Sequence, residues 1–532
     1  MTRRDISLSA WLTVGALAAQ AGFQPSWAQS APLDPSSADE SSDETAETAG
    51  STRKIVGWLV KPTLAVREAV TDNARLTPQG GGDLVTTVTP GIDVEEQTRR
   101  LRLSLAGSAS YDLYARHGDL DGYRYDVNAN GWGEAVENYL FVDLRAVANT
   151  QPITNNGVIS AFDRTLPGNQ TEVFNGSVSP YLQHDFGGWA VGELRYRATT
   201  LDYSDTKTGG AFPAVPASPF APSPSAITDA NTNEALISLR AGPQFTNIRW
   251  SAAGSASDTG YAGGRTVEQR TASATGEYAL TREVALLAVI GEDSYKDSAN
   301  GAGDSVHPSW RVGGRFSPGP RTDLLVEGGS RYGGPYWSGR FRYRIGKALT
   351  LSASHQETVT TQQQLLGSDL NELVRDEDGH LVDSLTGDLG APNAASFNYT
   401  SQSFTLKTSR VGLNGGEGRN SYTLSAELDQ RALGAIVLGQ SGTERQQAIL
   451  ATASYARQLT RQSDLTVSFS LGRNYDSLAD AGYNIQRASV SYDINLSPTL
   501  RASAGYQRYE LSNAIRTGYA ENALLLTLRK SF

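Results

Sequence analysis

The side chains suited to proton transfer are few in this chain of 532 residues: five histidines, His117, His184, His307, His355 and His380, and no cysteine. A Ser-His-Asn or Asp-His hydrolytic site needs a nucleophile, a base and an orienting group held together. None of the histidines lies in a local motif that would supply such partners. His117, His307, His355 and His380 fall in or near long polar connections, and His184 adjoins a short turn. No catalytic residue, no cofactor and no metal is therefore expected, and the chain reads as a non-enzyme. Asp376, Glu377, Asp378 and Asp383 offer oxygens of the kind calcium takes, but solvated surface charge accounts for them more simply. The stretches Gly80-Gly81-Gly82 and Leu413-Asn414-Gly415-Gly416 lack the Lys-Ser/Thr that completes a phosphate loop and read as turns.

Arginine in alternation with apolar residues is the pattern that does suggest chemistry. Over 335–345, Trp337, Gly339, Phe341, Tyr343 and Ile345 share one face of a strand, which leaves Arg340, Arg342 and Arg344 on the other. Arg311 and Arg315 alternate in the same way with Trp310, Val312, Gly314 and Phe316, and the segment between carries Asp323 and Glu327. On adjacent strands these seven residues make a ladder of cross-strand ion pairs. Five arginines against two carboxylates also leave a positive surplus, a basic stripe fit to contact an anionic solute or polysaccharide. The two readings are compatible. Arg145, Arg195, Arg197 and Arg240 add to the same charge elsewhere.

The elements that would position these residues are strands. Segments of about ten residues with alternating polarity, separated by turn residues, recur along the chain; that is the length a tilted strand needs to cross a bilayer. In the third segment Leu101, Leu103, Leu105, Gly107, Ala109, Tyr111 and Leu113 face one way, and Arg102, Ser104, Ser108, Ser110 and Asp112 face the other. Short turns fall near Glu137-Asn138, Phe186-Gly188, Leu280-Glu283, Ser317-Arg321, Ile345-Ala348, Leu459-Ser463 and Leu496-Pro498. Between them lie longer polar connections: Thr150 to Thr171, Tyr203 to Asn233, Gly291 to Pro308, Val359 to Ser396 and Gln430 to Arg445. Short turns on one side and long loops on the other are the outer-membrane pattern. The expected fold is all-β: a transmembrane, antiparallel, up-and-down outer-membrane β-barrel of about 22 strands. Tyr278, Tyr343, Tyr455 and Tyr492, beside the short turns, would form an aromatic girdle.

Both ends of the chain fit this expectation. Leu524, Leu526 and Leu528 share a face with the terminal Phe532, opposite Thr527, Arg529 and Ser531. That is how a barrel-closing last strand reads, with a C-terminal aromatic for barrel assembly machinery to engage. At the other end Arg3 and Arg4 precede a mildly apolar run, and Ser26-Trp27-Ala28 offers a cleavage site, so 1–28 reads as a signal peptide. Residues 29–54 read as a disordered acidic linker, with Asp34, Asp39, Glu40, Asp43, Glu44 and Glu47 and little to bury. The barrel would occupy 55–532, with no N-terminal plug domain, since the linker is short and polar. A net charge of -10 argues against nucleic acid as a partner.

The residues also carry a resemblance. Thr71-Asp72-Asn73, Val88-Thr89-Pro90-Gly91, Tyr114-Ala115-Arg116, Leu140 through Ala146, Gly168-Asn169-Gln170-Thr171-Glu172, Ser179-Pro180-Tyr181-Leu182-Gln183-His184 and Glu193-Leu194-Arg195-Tyr196 resemble the PEP-CTERM-system-associated outer-membrane proteins. These belong within the wider β-barrel porin 2 group. The resemblance is densest over residues 57–250 and brings no catalytic residues with it. It implies a barrel in the outer membrane of a Gram-negative bacterium, among lipid and lipopolysaccharide, tied to exopolysaccharide production through a periplasmic polysaccharide export apparatus. A conduit for polysaccharide is thus expected. The alternatives are a general diffusion porin for small solutes, or a barrel whose long external loops bind or catalyse.

Overall fold

The computed structural model describes residues 57–152, 169–208, 228–299, 305–365, 373–375, 381–383, 402–439, 444–476, 481–513 and 518–532, with 400 and 442. The expected signal peptide, the acidic linker, the Pro/Ala-rich insert 209–225, His380 and Asp376 to Asp378 lie outside the described residues, as does the side chain of Asp383. The strands are β1 Leu59–Thr71, β2 Asp83–Gln97, β3 Leu101–Tyr114, β4 Gly122–Val136, β5 Leu140–Pro152, β6 Asn169–Asp185, β7 Ala190–Thr208, β8 Ala230–Ala241, β9 Ile248–Tyr261, β10 Thr266–Ala279, β11 Val284–Asp297 and β12 Ser305–Gly319. They continue as β13 Thr322–Arg331, β14 Gly334–Ile345, β15 Leu349–Thr361, β16 Leu373–Arg375, β17 Leu381–Asp383, β18 Ser403–Glu417, β19 Asn420–Leu433, β20 Glu444–Gln458, β21 Ser463–Asp476, β22 Ala481–Ser497, β23 Leu500–Asn513 and β24 Tyr519–Ser531.

Each strand of the main sheet pairs antiparallel with its neighbour in sequence, β15 passes directly to β18, and β24 returns to β1, so that 22 strands close on themselves. The strands β16 and β17 form a small hairpin apart from it. At the closing seam Thr63 stands opposite Ser531 and Thr71 opposite Ala523, and the Phe532 amide donates to the Pro62 carbonyl at 2.9 Å. Leu524, Leu526 and Leu528, 60, 63 and 48% exposed, continue the outer face of β1 opposite Val70, Glu68 and Val66, and Phe532 ends it at 69%. Elsewhere the outer face is likewise apolar and exposed, as at Leu194, Ile237, Leu286, Ile290, Val312, Leu424 and Phe469. Such a surface is stable only against hydrocarbon.

The start of β1 and the end of β24 share one rim with the short turns, called here the terminal rim; the long connections share the opposite, loop rim. Not every loop-rim connection is long: four residues, 262–265, join β9 to β10. Between β13 and β14 the loop rim has only Tyr332 and Gly333, at φ 45° and 72°, a two-residue turn of the kind that joins twisted strands. At the terminal rim Tyr278, Tyr343, Tyr422, Leu280, Leu496 and the cluster of Trp189, Phe245 and Trp250 face outward, with ring centroids 5.4 to 6.1 Å apart within that cluster.

The expected fold class needs correcting. A barrel of this width cannot fill its lumen with wall side chains, and 22-stranded outer-membrane transporters carry a plug. The expectation of a barrel defined by the lack of a plug therefore does not follow from the sheet. Among the described residues nothing forms a plug domain, but several loop-rim segments turn into the lumen, as described below.

On this placement, Leu424→Arg, opposite Leu413 and Ala453, puts a charge near mid-height on the lipid face and destabilises the barrel by about 2–4 kcal/mol. Ser425→Asn, one residue on and facing the lumen, changes stability by less than about 0.5 kcal/mol. Urea unfolding followed by tryptophan fluorescence in lipid vesicles distinguishes the two.

Candidate functional site: the lumen wall and its outer mouth

The register settles which side chains line the lumen. Arg311 and Arg315 of β12 stand opposite Gly329 and Leu325 of β13, while Asp323 and Glu327 of β13 stand opposite Arg342 and Ser338 of β14. The alternate residues Trp310, Val312, Val326 and Trp337 are more than two-fifths exposed on the outer face. The seven charged residues of the sequence pattern therefore share one inner arc. They do not share one fate. Arg311 Nε lies 3.2 Å from Glu327 Oε2, and Arg315 Nη2 lies 3.8 Å from Glu277 Oε2 on β10, a carboxylate that also pairs with Arg249 of β9. Asp323 accepts from the Ser317 hydroxyl at 3.5 Å. Arg340, Arg342 and Arg344 are exposed, and among the described residues none of their guanidinium groups has an ion-pair partner. The ladder thus runs along β12, and the surplus positive charge stands on β14.

Charge pairing satisfies most of the remaining inner wall. Arg195 donates to Asp143 at 2.5 Å, to Glu193 at 2.8 Å and to the Ser179 hydroxyl at 3.1 Å. Arg197 pairs with Glu234 at 2.9 Å and Arg410 with Glu427 at 2.9 Å. The sequence pattern did not reveal a column of flat groups that crosses five strands. Arg195 lies 3.9 Å over the Tyr181 ring, Tyr181 stacks on Phe141 at 5.1 Å, Phe141 on Trp132 at 5.8 Å, and Arg102 lies 5.2 Å over Trp132. Its signal was an aromatic residue on the polar face of β4, β5 and β6, which only the register brings into line.

The outer mouth is narrowed from within. The β14–β15 pairing runs from Ile345 and Leu349 only as far as Gly339 and His355, whereas the β15–β18 pairing continues to Thr361 and Ser403. Above that point β15 parts from β14, while β18 stays paired with β19 as far as Phe404 and Leu433. Glu357, Val359 and Thr361 occupy outward positions yet are at most 3% exposed, and Phe404 and Leu406 on the other face are also buried. A strand end buried on both faces lies inside the mouth. Its contacts are with strands it does not pair with. Thr361 Oγ1 is 2.8 Å from the Tyr261 hydroxyl of β9. Tyr295 of β11 donates to Ser403 Oγ at 2.8 Å and Arg265 donates to it at 2.9 Å, while Ser403 donates to Asp297. One hydroxyl thus uses its donor and both its lone pairs.

The β13–β14 tip leans in beneath this tongue. Arg331 donates to Asp293 at 3.0 and 3.2 Å, and Gln269 donates to the Tyr332 hydroxyl at 2.9 Å. A Cβ on Gly334 would stand 1.7 Å from the Leu438 carbonyl, so only glycine lets the segment after β19 cross there. Tyr261, Val267, Tyr295, Tyr332, Val359, Ile436 and Leu438 form one apolar cluster. A second lies over β1–β3 and β22–β24, where the β1–β2 connection brings Ala74 and Leu76 against Val85, Tyr114, Tyr509 and Tyr519. At that rim Arg75 donates to both Asp119 oxygens at 2.7 and 2.8 Å, which holds this carboxyl below its usual range.

The four described histidines lie on separate elements, with His184 on β6 between Tyr139 and Phe186. His117 Nδ1 is 2.8 Å from Asp83, and His307 faces the lumen beside Gly333. His355, expected in or near a connection, is in β15 toward its loop-rim end: its Nδ1 is 2.8 Å from Ser409 Oγ and its Nε2 3.4 Å from Glu357. Lys407 takes that same carboxylate at 2.8 Å, and Trp337 covers the ring at 3.7 Å. The strand amides around Ser409 are committed to the ladder, so the group clasps the base of the tongue. No cluster of His, Cys, Asp and Glu suited to a metal occurs among the described residues.

Comparison with known proteins adds the following. Residues 49–213 match the family described as "Putative beta-barrel porin 2". The match reaches this wider group and not the PEP-CTERM-associated subgroup. A search of curated proteins finds no match. Among solved structures, the chain is similar to the siderophore receptor PirA from Acinetobacter baumannii, with 9% identity, TM-score 0.50, and coverage of 90% of this chain and 81% of that one. It is also similar to the FrpB iron transporter from Neisseria meningitidis, with 9% identity, TM-score 0.49, and 90 and 83% coverage. The open form of the ferric-catecholate import receptor Fiu from E. coli K12 follows, with 8% identity, TM-score 0.48, and 88 and 81% coverage. At such identities the likeness concerns the fold alone. The expected fold class is corrected to that extent: a closed, antiparallel 22-stranded barrel, of the sheet size that the solved receptors share, with the lack of a plug no part of its definition. A porin-type barrel of outer-membrane architecture is what the family match and the closed sheet support together.

Glu277 holds two arginines at once. Glu277→Gln is expected to cost about 1 kcal/mol of stability, since both pairs are partly solvated, and to move the zero-current potential toward anion preference by freeing Arg249 and Arg315. Urea titration and a salt-gradient measurement check the two effects separately.

Proposed function

We propose that the chain is a non-enzymatic channel of the Gram-negative outer membrane that passes hydrophilic anions through its lumen. The observation that carries this reading is the row Arg340, Arg342 and Arg344, exposed on the inner face of β14 with no ion pair among the described residues. Successive members are about 6.8 Å apart along the strand, and a guanidinium stays charged at any pH the membrane survives. Fixed positive charge on a low-dielectric wall raises the local concentration of anions and slows cations. Weak contact at several points, rather than one tight site, lets a solute enter and leave.

The resemblance to barrels tied to exopolysaccharide names one cargo, an anionic polysaccharide delivered from a periplasmic export apparatus. That reading rests on the resemblance alone. Deletion of the gene separates it from small-solute diffusion: export predicts polymer trapped in the periplasm, diffusion predicts slower uptake of small anions with surface polymer unchanged.

The channel reading has its own test in planar bilayers. Arg340→Gln, Arg342→Gln and Arg344→Gln combined should lower the chloride-to-potassium permeability ratio at least about twofold at 0.1 M salt, where the Debye length is about 10 Å, and much less at 1 M. An unchanged ratio at low salt removes the anion reading.

A further inference from the structure

We infer that the acidic run over residues 34–47 docks on a basic arc at the terminal rim, where it stands as a tethered anion at that end of the lumen. The arc is built one turn at a time. Arg282 on the β10–β11 turn, Arg321 on β12–β13, Lys347 on β14–β15, Arg419 on β18–β19 and Arg461 on β20–β21 put an exposed cation at each of five consecutive terminal-rim turns. None of the five has an ion-pair partner among the described residues, and Arg419 donates to a neutral group, the Leu459 carbonyl, at 3.2 Å. The exposed carboxylates beside them are Glu283 and Glu417, so a positive surplus remains. Elsewhere the rim differs: Arg99 and Arg100 share Glu137, and the turns β6–β7, β8–β9 and β22–β23 carry no charge.

The occupant is named by its charge and by its attachment. Residues 29–52 carry six carboxylates, the last of them Glu47, and neither lysine nor arginine; Arg53 and Lys54 follow. This stretch joins the described chain at Gly57, two residues before β1, and so is tied to the same rim that carries the arc. A sheet of 22 strands, spaced about 4.8 Å and tilted about 40°, closes to a ring roughly 40 Å across. Glu47 and Glu40 lie 10 and 17 residues before Gly57, which gives extended reaches of at most about 35 and 60 Å. The carboxylates can therefore cross the rim to its far side. A tether of this length holds them at an effective concentration on the order of millimolar, so exposed ion pairs that are weak singly suffice together.

The arc is continuous with the arginine row. The Arg344 amide donates to the Arg321 carbonyl at 2.8 Å, and Lys347 lies on the turn that follows the row, so Arg344, Arg342 and Arg340 lead from the arc into the lumen. A docked carboxylate and a passing anion thus meet the same cations at this end. That competition rests on the anion reading. The docking itself does not, since the arc and the run carry opposite charge whatever the lumen conducts.

The chain has no cysteine, so a pair of introduced cysteines reports the docking. In the full chain, in phosphatidylcholine vesicles, Ser42→Cys is combined either with Ala348→Cys beside Lys347 or with Thr246→Cys on the uncharged β8–β9 turn, which is no farther from β1 round the sheet. Under mild oxidation at low salt the first pair should form its disulfide several-fold faster. The preference should vanish at 1 M salt, where the Debye length is about 3 Å, and replacing the six carboxylates by amides should abolish it. Equal rates at the two turns, or a preference that survives loss of the carboxylates, overturns the docking. So does a preference that disappears when phosphatidylglycerol is added, because anionic lipid headgroups then hold the arc. Should Ala348→Cys impair assembly, Lys347→Cys at the exposed turn takes its place and leaves four cations of the arc. Failure of the anion reading shows instead in the zero-current potential and leaves these rates unchanged.

Discussion

A strand in hydrocarbon has no water to satisfy its edges, and everything else in this structure follows from that constraint. The main sheet meets it by closing: β24 returns to β1 over Thr63–Thr71, and the last amide, that of Phe532, finds the Pro62 carbonyl. An unsatisfied amide or carbonyl in the bilayer core costs several kcal/mol, so the seam tolerates no fraying where lipid touches it. Above the lipid the constraint relaxes. The β14–β15 edge parts over Gly334–Ser338 and Gln356–Thr361, toward the loop rim.

That difference in solvent explains how much of the architecture was legible in sequence. The outer faces are selected by lipid, so Leu101 through Leu113 or Trp310 through Phe316 alternate cleanly, and the short turns at 280–283, 346–348 and 459–462 fall where the alternation breaks. The inward direction of Arg340, Arg342 and Arg344 follows from the same period of two. What could not be read from spacing was partnership. Arg315 finds its carboxylate on β10, two strands away in the sheet, and Asp323 turns to Ser317 instead of Arg342 directly opposite. The plug question was also beyond the alternation, because wall residues repeat identically whether or not the lumen is filled from elsewhere.

The bend of β15 and β18 was written in the chain but in a form easily taken for a loop. A run such as Thr358-Val359-Thr360-Thr361-Gln362-Gln363 is polar at nearly every position, which reads as an external connection. It is instead a strand end and a helical turn buried on all sides, with Gln362 accepting from Arg431 at 2.9 Å. Burial of polar residues on both faces is affordable because each meets another polar group from β9, β11 or β19. Loss of period two within a barrel strand therefore has two meanings, exit into solvent or entry into the lumen, and only the partners tell them apart.

The free arginines are a consequence of the same crowding. Most carboxylates near β14 are committed: Glu277 to Arg249 and Arg315, Glu327 to Arg311, and Glu357, beyond the bend, to Lys407. Three cations then stand together on one strand, mutually repelling, with Asp323 opposite Arg342 the carboxylate in register with them and no ion pair between the two. Such an arrangement is unfavourable for the empty barrel and persists where the rest of the sheet over-determines it. The repulsion falls when an anion enters, and since arginine does not deprotonate, only a bound anion or added salt relieves it. Lysine in these positions could lower its own charge when crowded; arginine cannot, which is why the proposed passage of anions rests on this row.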